Sequence, residues 1–241
     1  GGLERPLVPR AAAAADGVLL SAQRLLLSEL THPVRVAMRA LNTKAMRDVF
    51  RSAPSGGAVS QGHVDDEAHL SAAMLAFAAS PQPYITQVGV YLLSLPQLLM
   101  PFTAGGALSH IHTELCPAAT AARELAARPG GTEADADAGA DAAISWLHCV
   151  ADVTARLLLE SVRIVPAFSP LGAKQLAADV AYLANVFGSA GLALPPNAAL
   201  DELHRLLTCG ASELATAVRA TTALPRDLAT AVASKRGTHG I

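Results

Sequence analysis

The stretch SPLGAKQLAADVAYLANVFG, residues 169–188, decides the fold class, because it carries a start signal, an amphipathic body and a stop signal. The Ser169 hydroxyl can accept from an unpaired first-turn N–H, and Pro170 suits the first helical position, where a missing N–H costs nothing. Leu176, Val180, Leu183 and Phe187 recur at i, i+4, i+7 and i+11, which makes one apolar stripe at the helical period. Lys174, Gln175, Asp179, Tyr182 and Asn185 fill much of the remaining circumference. Gly188 offers the left-handed residue that often closes a helix. The stretch is a helix that packs on one side and shows a patterned polar face on the other.

The segment before it has the same character. Asp141 to Val165 places Ser145, His148, Asp152, Arg156, Glu160 and Arg163 on one polar stripe, with apolar residues almost all round the rest. A helix with one narrow wet stripe needs neighbours on two sides, which implies a bundle or stacked rod. Pro166 ends it, so the two helices read as a tight hairpin. Downstream, shorter helices are expected over Asn197–Thr208, Ala211–Ala220 and Pro225–Lys235, with Leu200, Leu203, Leu207, Leu214, Val218, Leu228 and Val232 facing inward. Asp201 and Arg205 are expected to pair on the outside.

Upstream, Asp16 reads as the cap of a helix over about Val18–Thr31, and Pro33 as a kink or restart before a second piece, Val34–Phe50. That piece carries Arg35, Arg39, Lys44, Arg47 and Arg51. They read as a solvated face, with phosphate binding the alternative. Residues 52–62 read as a loop and 65–79 as a helix. Residues 83–102, PYITQVGVYLLSLPQLLMPF, lie in a run from Leu70 to His110 without Asp, Glu, Lys or Arg. The length would span a membrane. Four prolines and three glutamines interrupt the run from Leu70 to His110, and no close basic flank sets an orientation, so a buried core helix that bends after Pro96 is the reading. The alternative is an integral membrane protein with a span or re-entrant hairpin within 70–109.

Composition narrows the function class. The 241 residues are 51% hydrophobic, 16% charged and 4% aromatic. Much of the apolar share is alanine, a strong helix former. A net charge of -2 argues against a general electrostatic grip on nucleic acid or anionic lipid. Three separated cysteines form neither a disulfide framework nor a metal motif, which fits a reducing compartment. The chain opens Gly-Gly without a signal peptide and reads as a fragment. His110, His112, Glu114 and Cys116 would share a face only in a strand, so no metal is expected. His148 and Cys149 are neighbours on a helix and point to different faces. The acids of residues 129–141 do not match a calcium loop. No GxSxG, P-loop, GxGxxG, HExxH or paired CxxC occurs, so no catalytic residue and no cofactor is assigned.

Two blocks together resemble subunit 7 of the conserved oligomeric Golgi complex. The first, FAASPQPYITQVGVYLLSLPQLLMPF at residues 77–102, is similar to that family's order of a proline-containing turn, Tyr-Ile, a Gly-Tyr-containing helix, Ser-Leu-Pro and Pro-Phe. The second holds KQLAADVAYLANVF at 174–187 and LPRDLATAVASKRG at 224–237, which resemble its Lys-Gln-Leu, Asp, Tyr-Leu, Asn-Val series and its terminal segment. The likeness covers roughly residues 68–237, and the alanine enrichment departs from it.

The resemblance implies an all-α helical bundle or rod of the multisubunit tethering-complex type. It implies a non-catalytic subunit acting by protein–protein contact in retrograde intra-Golgi transport, and so in maintaining glycosylation enzymes. It implies a peripheral place on the cytosolic face of the Golgi membrane. The implied partners are subunits five, six and eight, with membrane-fusion and Rab-type proteins, and no nucleic acid. The domain reading is a flexible lead at 1–15, helices of the rod over 16–128, a disordered acidic loop at 129–141, a C-terminal helical bundle over 142–236 and a frayed tail at 237–241. Lys174, Gln175, Asp179 and Tyr182 are the candidate contact face, towards a partner or another helix. Charge reversal at Asp179 is then expected to weaken partner binding while leaving helicity intact.

Overall fold

The computed structural model describes residues 9–51, 80–103, 111–112, 114–115, 138–190 and 196–237. The loop expected at 52–62, the helix at 65–79, and most of the segments at 105–127 and 129–141 lie outside the described residues. Among the described residues the chain is helical, without a strand. The helices are α1 (Pro9–Met38), α2 (Lys44–Arg51), α3 (Pro83–Thr103), α4 (Ala138–Ile164), α5 (Pro170–Ser189), α6 (Pro196–Thr208), α7 (Ala211–Arg219) and α8 (Arg226–Lys235). A 3-10 turn, Arg39–Asn42, separates α1 from α2.

Boundaries differ from the sequence reading at α1 and at the end of α5: α1 begins at Pro9, so Asp16 lies inside the helix and does not cap it. Helix α1 runs through Pro33, and the break falls instead at the 3-10 turn before Thr43. Helix α3, Pro83–Thr103, covers the stretch read as one core helix and continues through Pro96 and Pro101. A proline removes one i→i−4 bond, but burial of neighbouring side chains can hold the helix across it. Leu92, Leu95 and Leu99 are all buried around Pro96. Helix α5 ends at Ser189 in right-handed geometry. The Ala190 N–H donates to the carbonyls of Val186 (3.0 Å) and Phe187 (3.2 Å), and Gly188 is not left-handed.

The described residues fall into two compact units. One comprises those of 1–33 and 95–150. Its core holds Leu95, Leu99, Ile111, Trp146, Leu147 and Val150, and the side chain of Gln23 accepts the His112 N–H at 2.9 Å.

The other comprises those of 34–94 and 151–241. The stripe Leu176, Val180, Leu183 and Phe187 is completely buried there, beside Leu200, Leu203, Leu206 and Leu214. At the start of α5, Ser169 caps the helix by accepting the Gly172 N–H at 2.9 Å, while its own N–H donates to the Phe50 carbonyl at 2.8 Å. The ring of Phe50 meets Phe168 edge-on, with centroids 6.1 Å apart. Here a glycine is required, because a Cβ on Gly172 would sit 2.6 Å from the Phe50 Cα. Side chains satisfy a helix end and a turn in this unit. Arg236 donates to the carbonyls of Leu206 and Cys209 at the end of α6, and Glu202 accepts the N–H groups of Thr222, Ala223 and Leu224 at 2.7–3.0 Å. Asp201 and Arg205 are exposed and make no ion pair with each other.

Candidate functional site

The polar face of α5 divides. Lys174 is exposed and Tyr182 half-buried, whereas Gln175 and Asp179 are 1% and 0% exposed. The helical period puts residues 175, 179 and 182 one above another, on the side that meets the chain entering α3. The Asp179 carboxylate accepts the Gln82 N–H at 2.7 Å on one oxygen and the Tyr84 hydroxyl at 2.6 Å on the other. The Gln175 amide donates to the Ser80 carbonyl at 2.8 Å and to Asp179 at 3.3 Å. Those two acceptors orient the amide and leave its oxygen buried without a partner. One turn further on, Tyr182 lies against Gly89, where a Cβ would fall 2.6 Å from its ring. Gly89 therefore allows the close approach of α3 to α5.

Two forces oppose each other at Asp179. Burial disfavours the charged carboxylate and raises its pKa, and the bonds from Tyr84, Gln82 and Gln175 lower it. Burial wins, and the pKa is raised from 3.8 to about 6. The same burial, with the neighbouring carboxylate, pushes the Tyr84 phenol well above its ordinary value, so it remains a donor. The group is thus an acceptor enclosed by three donors. It can pin the residues 80–84 turn to α5; it presents no nucleophile and no open coordination position.

The network joins the two stretches on which the family resemblance rests, the proline turn with Tyr-Ile and the Lys-Gln-Leu…Asp series. Sequence reasoning singled out Gln175 and Asp179 but missed Ser80, Gln82 and Tyr84. The signal was present: Asp179 is the only acid in α5 and stands among Ala177, Ala178, Val180 and Ala181. An acid set in alanines on a packed helix needs buried donors.

The other singled-out residues have ordinary surroundings. His148 is 7% exposed, and burial lowers its pKa. The Glu114 N–H donates to His112 Nδ1 at 3.3 Å, and its carboxylate pairs with Arg24 at 3.8 Å. His110 and Cys116 lie outside the described residues. No group of three His, Cys, Asp or Glu gathers among the described residues. Two stretches, Pro83–Phe102 and Ala142–Ile164, are long and apolar enough to cross a membrane, with 33% and 67% of the apolar window buried in this chain. The core helix of a soluble protein meets the same criterion.

Comparison with known proteins places residues 54–237 in a match to the family described as Golgi complex component 7 (COG7). The chain is 31% identical over 170 residues to the conserved oligomeric Golgi complex subunit 7 of Rattus norvegicus, and likewise to that of Homo sapiens. In each case the match covers 68% of this chain and 20% of the relative. The subunit 7 of Arabidopsis thaliana is 30% identical over 120 residues, covering 50% of this chain and 12% of its own length. The chain spans about a fifth of the length of the animal relatives. No solved structure matches it.

Proposed function

This chain belongs to the Golgi complex component 7 family, and from that premise we propose that it is part of a subunit of a Golgi vesicle-tethering complex and acts by protein–protein contact, without catalysis. The observation that carries the reading is the family match over residues 54–237, which includes both halves of the Asp179 network. An all-α arrangement whose buried polar groups hold helices together supports a scaffold role.

The transport step is retrograde intra-Golgi recycling of glycosylation enzymes. The place of action is the cytosolic face of the Golgi membrane, peripherally bound, and the partners are subunits five, six and eight. The polar face of α5 serves this role in two ways: Gln175 and Asp179 hold the turn at residues 80–84 in position while Tyr182 packs against Gly89, and Lys174 is free for outward contact.

The test is affinity purification of the tagged chain from cells, followed by mass spectrometry. Recovery of the other subunits of the Golgi complex is the expected result. A folded chain that recovers none of them would overturn the reading. Carbonate extraction tests the membrane relation: a peripheral subunit is released, whereas retention in the pellet would mark a span within residues 70–109.

A further inference from the structure

A net charge of -2 excludes a general grip on an anionic surface but not a local one. Residues 34–51 carry five cations, Arg35, Arg39, Lys44, Arg47 and Arg51, against the single anion Asp48, and all six side chains are exposed. Among the described residues, Arg39, Lys44, Arg47 and Arg51 form no ion pair. On α2, Lys44, Arg47 and Arg51 recur at i, i+3 and i+7 and share one face. The opposite side of α2 packs inward through the fully buried Phe50 and the half-buried Met46 and Val49. Arg35 and Arg39 share a face at the end of α1 by their i,i+4 spacing. Lys44 follows Arg39 by five positions, so backbone reach keeps their Cα atoms within about 17 Å, roughly two Debye lengths at physiological salt.

The face is firmly mounted. Thr43 ties the 3-10 turn to α2: its hydroxyl donates to the Ala40 carbonyl at 2.7 Å and accepts the Met46 N–H at 3.3 Å. Phe50 anchors the far end through Ser169 and Phe168. Beside the arginines stand two exposed apolar side chains, Val36 at 49% and Ile164 at 58%.

We propose that this basic face docks the chain onto the anionic headgroups of a lipid membrane. The inference rests on the peripheral-membrane reading above and names the surface that would make the contact. Point charges spread along two helix faces complement a diffuse anionic surface better than one compact phosphate, which calls for a convergent pocket. An acidic partner helix fits less well. The recess bordered by Arg35 and Arg39 is also lined by Glu160, which would repel an acid seated there. A flat anionic surface meets the outward cations and leaves that recess unfilled.

The test is flotation of the full 241-residue chain with vesicles of phosphatidylcholine alone, or of phosphatidylcholine with 20 mol% phosphatidylserine. Each cation near such a surface adds roughly fivefold to the affinity. The chain is expected to float with the anionic vesicles and not the neutral ones, and to be released by raised salt. The combined variant R39Q/K44Q/R47Q/R51Q is expected to lose more than tenfold in binding, with helicity and melting temperature unchanged. Three results would overturn the proposal: no flotation of the parent chain with anionic vesicles, equal flotation with neutral ones, or a folded variant that floats like the parent. A variant that keeps vesicle binding but no longer recovers a protein partner would assign the face to an acidic protein and also overturn it. A chain that recovers the complex but does not float would overturn the lipid face alone. One that floats but recovers no subunit would overturn the tether reading alone.

Discussion

The Asp179 carboxyl makes stability depend on pH in a direction opposite to that of an ordinary paired aspartate. Its folded pKa is about 6, against 3.8 for the free side chain. The folded state therefore prefers the protonated form. The resulting stabilisation is fully present below pH 3.8 and is lost as pH rises through 6. Two units at 1.36 kcal/mol each give a fall of roughly 3 kcal/mol between pH 4 and pH 7.

D179N isolates this contribution. An asparagine keeps the shape, accepts the Gln82 N–H with its oxygen, and can donate its NH2 to a rotated Tyr84 hydroxyl. It carries no charge, so its stability lacks the fall. Urea unfolding followed by far-UV circular dichroism at several pH values from 4 to 7 measures both proteins. Subtracting one curve from the other removes the titrations they share. D179N is expected to gain about 3 kcal/mol relative to the parent as pH rises across that interval. A flat difference would show that its three hydrogen bonds balance the burial. A difference of opposite sign would show that its three hydrogen bonds outweigh burial. In contrast, D179A leaves the Gln82 N–H and the Tyr84 hydroxyl buried without an acceptor, at about 1–3 kcal/mol each. At pH 7 relief of the buried charge offsets part of that cost, so D179A is expected to be less stable than D179N. Charge reversal at Asp179 is then a lesion of the fold first, and any loss of partner binding has to be read against stability.

Glu202 supplies the opposite sign. Partial burial raises its pKa, but the donors at residues 222–224 outweigh this, and the net shift is downward. Its stabilisation is present above pH 4.5 and lost as pH falls through the folded value; E202Q should remove that acid-side loss, and amide exchange at 222–224 should quicken. G172A places a Cβ 2.6 Å from the Phe50 Cα and should destabilise by about 2–4 kcal/mol, read as a lowered melting temperature. G188A meets no atom within 4 Å and sits inside a right-handed helix, so it should stabilise by about 0.5–1 kcal/mol; destabilisation would indicate a left-handed residue there. R236A removes the side chain that closes the end of α6 and should cost about 1–2 kcal/mol in urea unfolding. R163A breaks only an exposed pair with Asp227 and should change stability by less than about 1 kcal/mol.

Local chemistry wrote much of the helical pattern into the sequence. Ser169 and Pro170 start α5 where the capping rules put them, because a cap is satisfied within one turn and needs no distant residue. The stripe Leu176, Val180, Leu183 and Phe187 is buried as its period requires, since a helix has one way to hide four such side chains. The helices from α6 to α8 follow for the same reason.

Where the outcome hung on residues far apart in sequence, the pattern was insufficient. Pro33 reads as a kink or restart that divides two helices, yet α1 passes through it, because the loss of one local bond can be outweighed by packing the sequence does not display. Gly172 and Gly89 look like weak points in helices; they are the places where another chain segment comes too near for a Cβ. Above all, the face bearing Gln175 and Asp179 read as a polar surface, and the tertiary structure buries it against Ser80, Gln82 and Tyr84. Whether a polar side chain on a helix meets water or a buried donor depends on which segment lies across from it, and the periodicity of the helix holds no record of that segment.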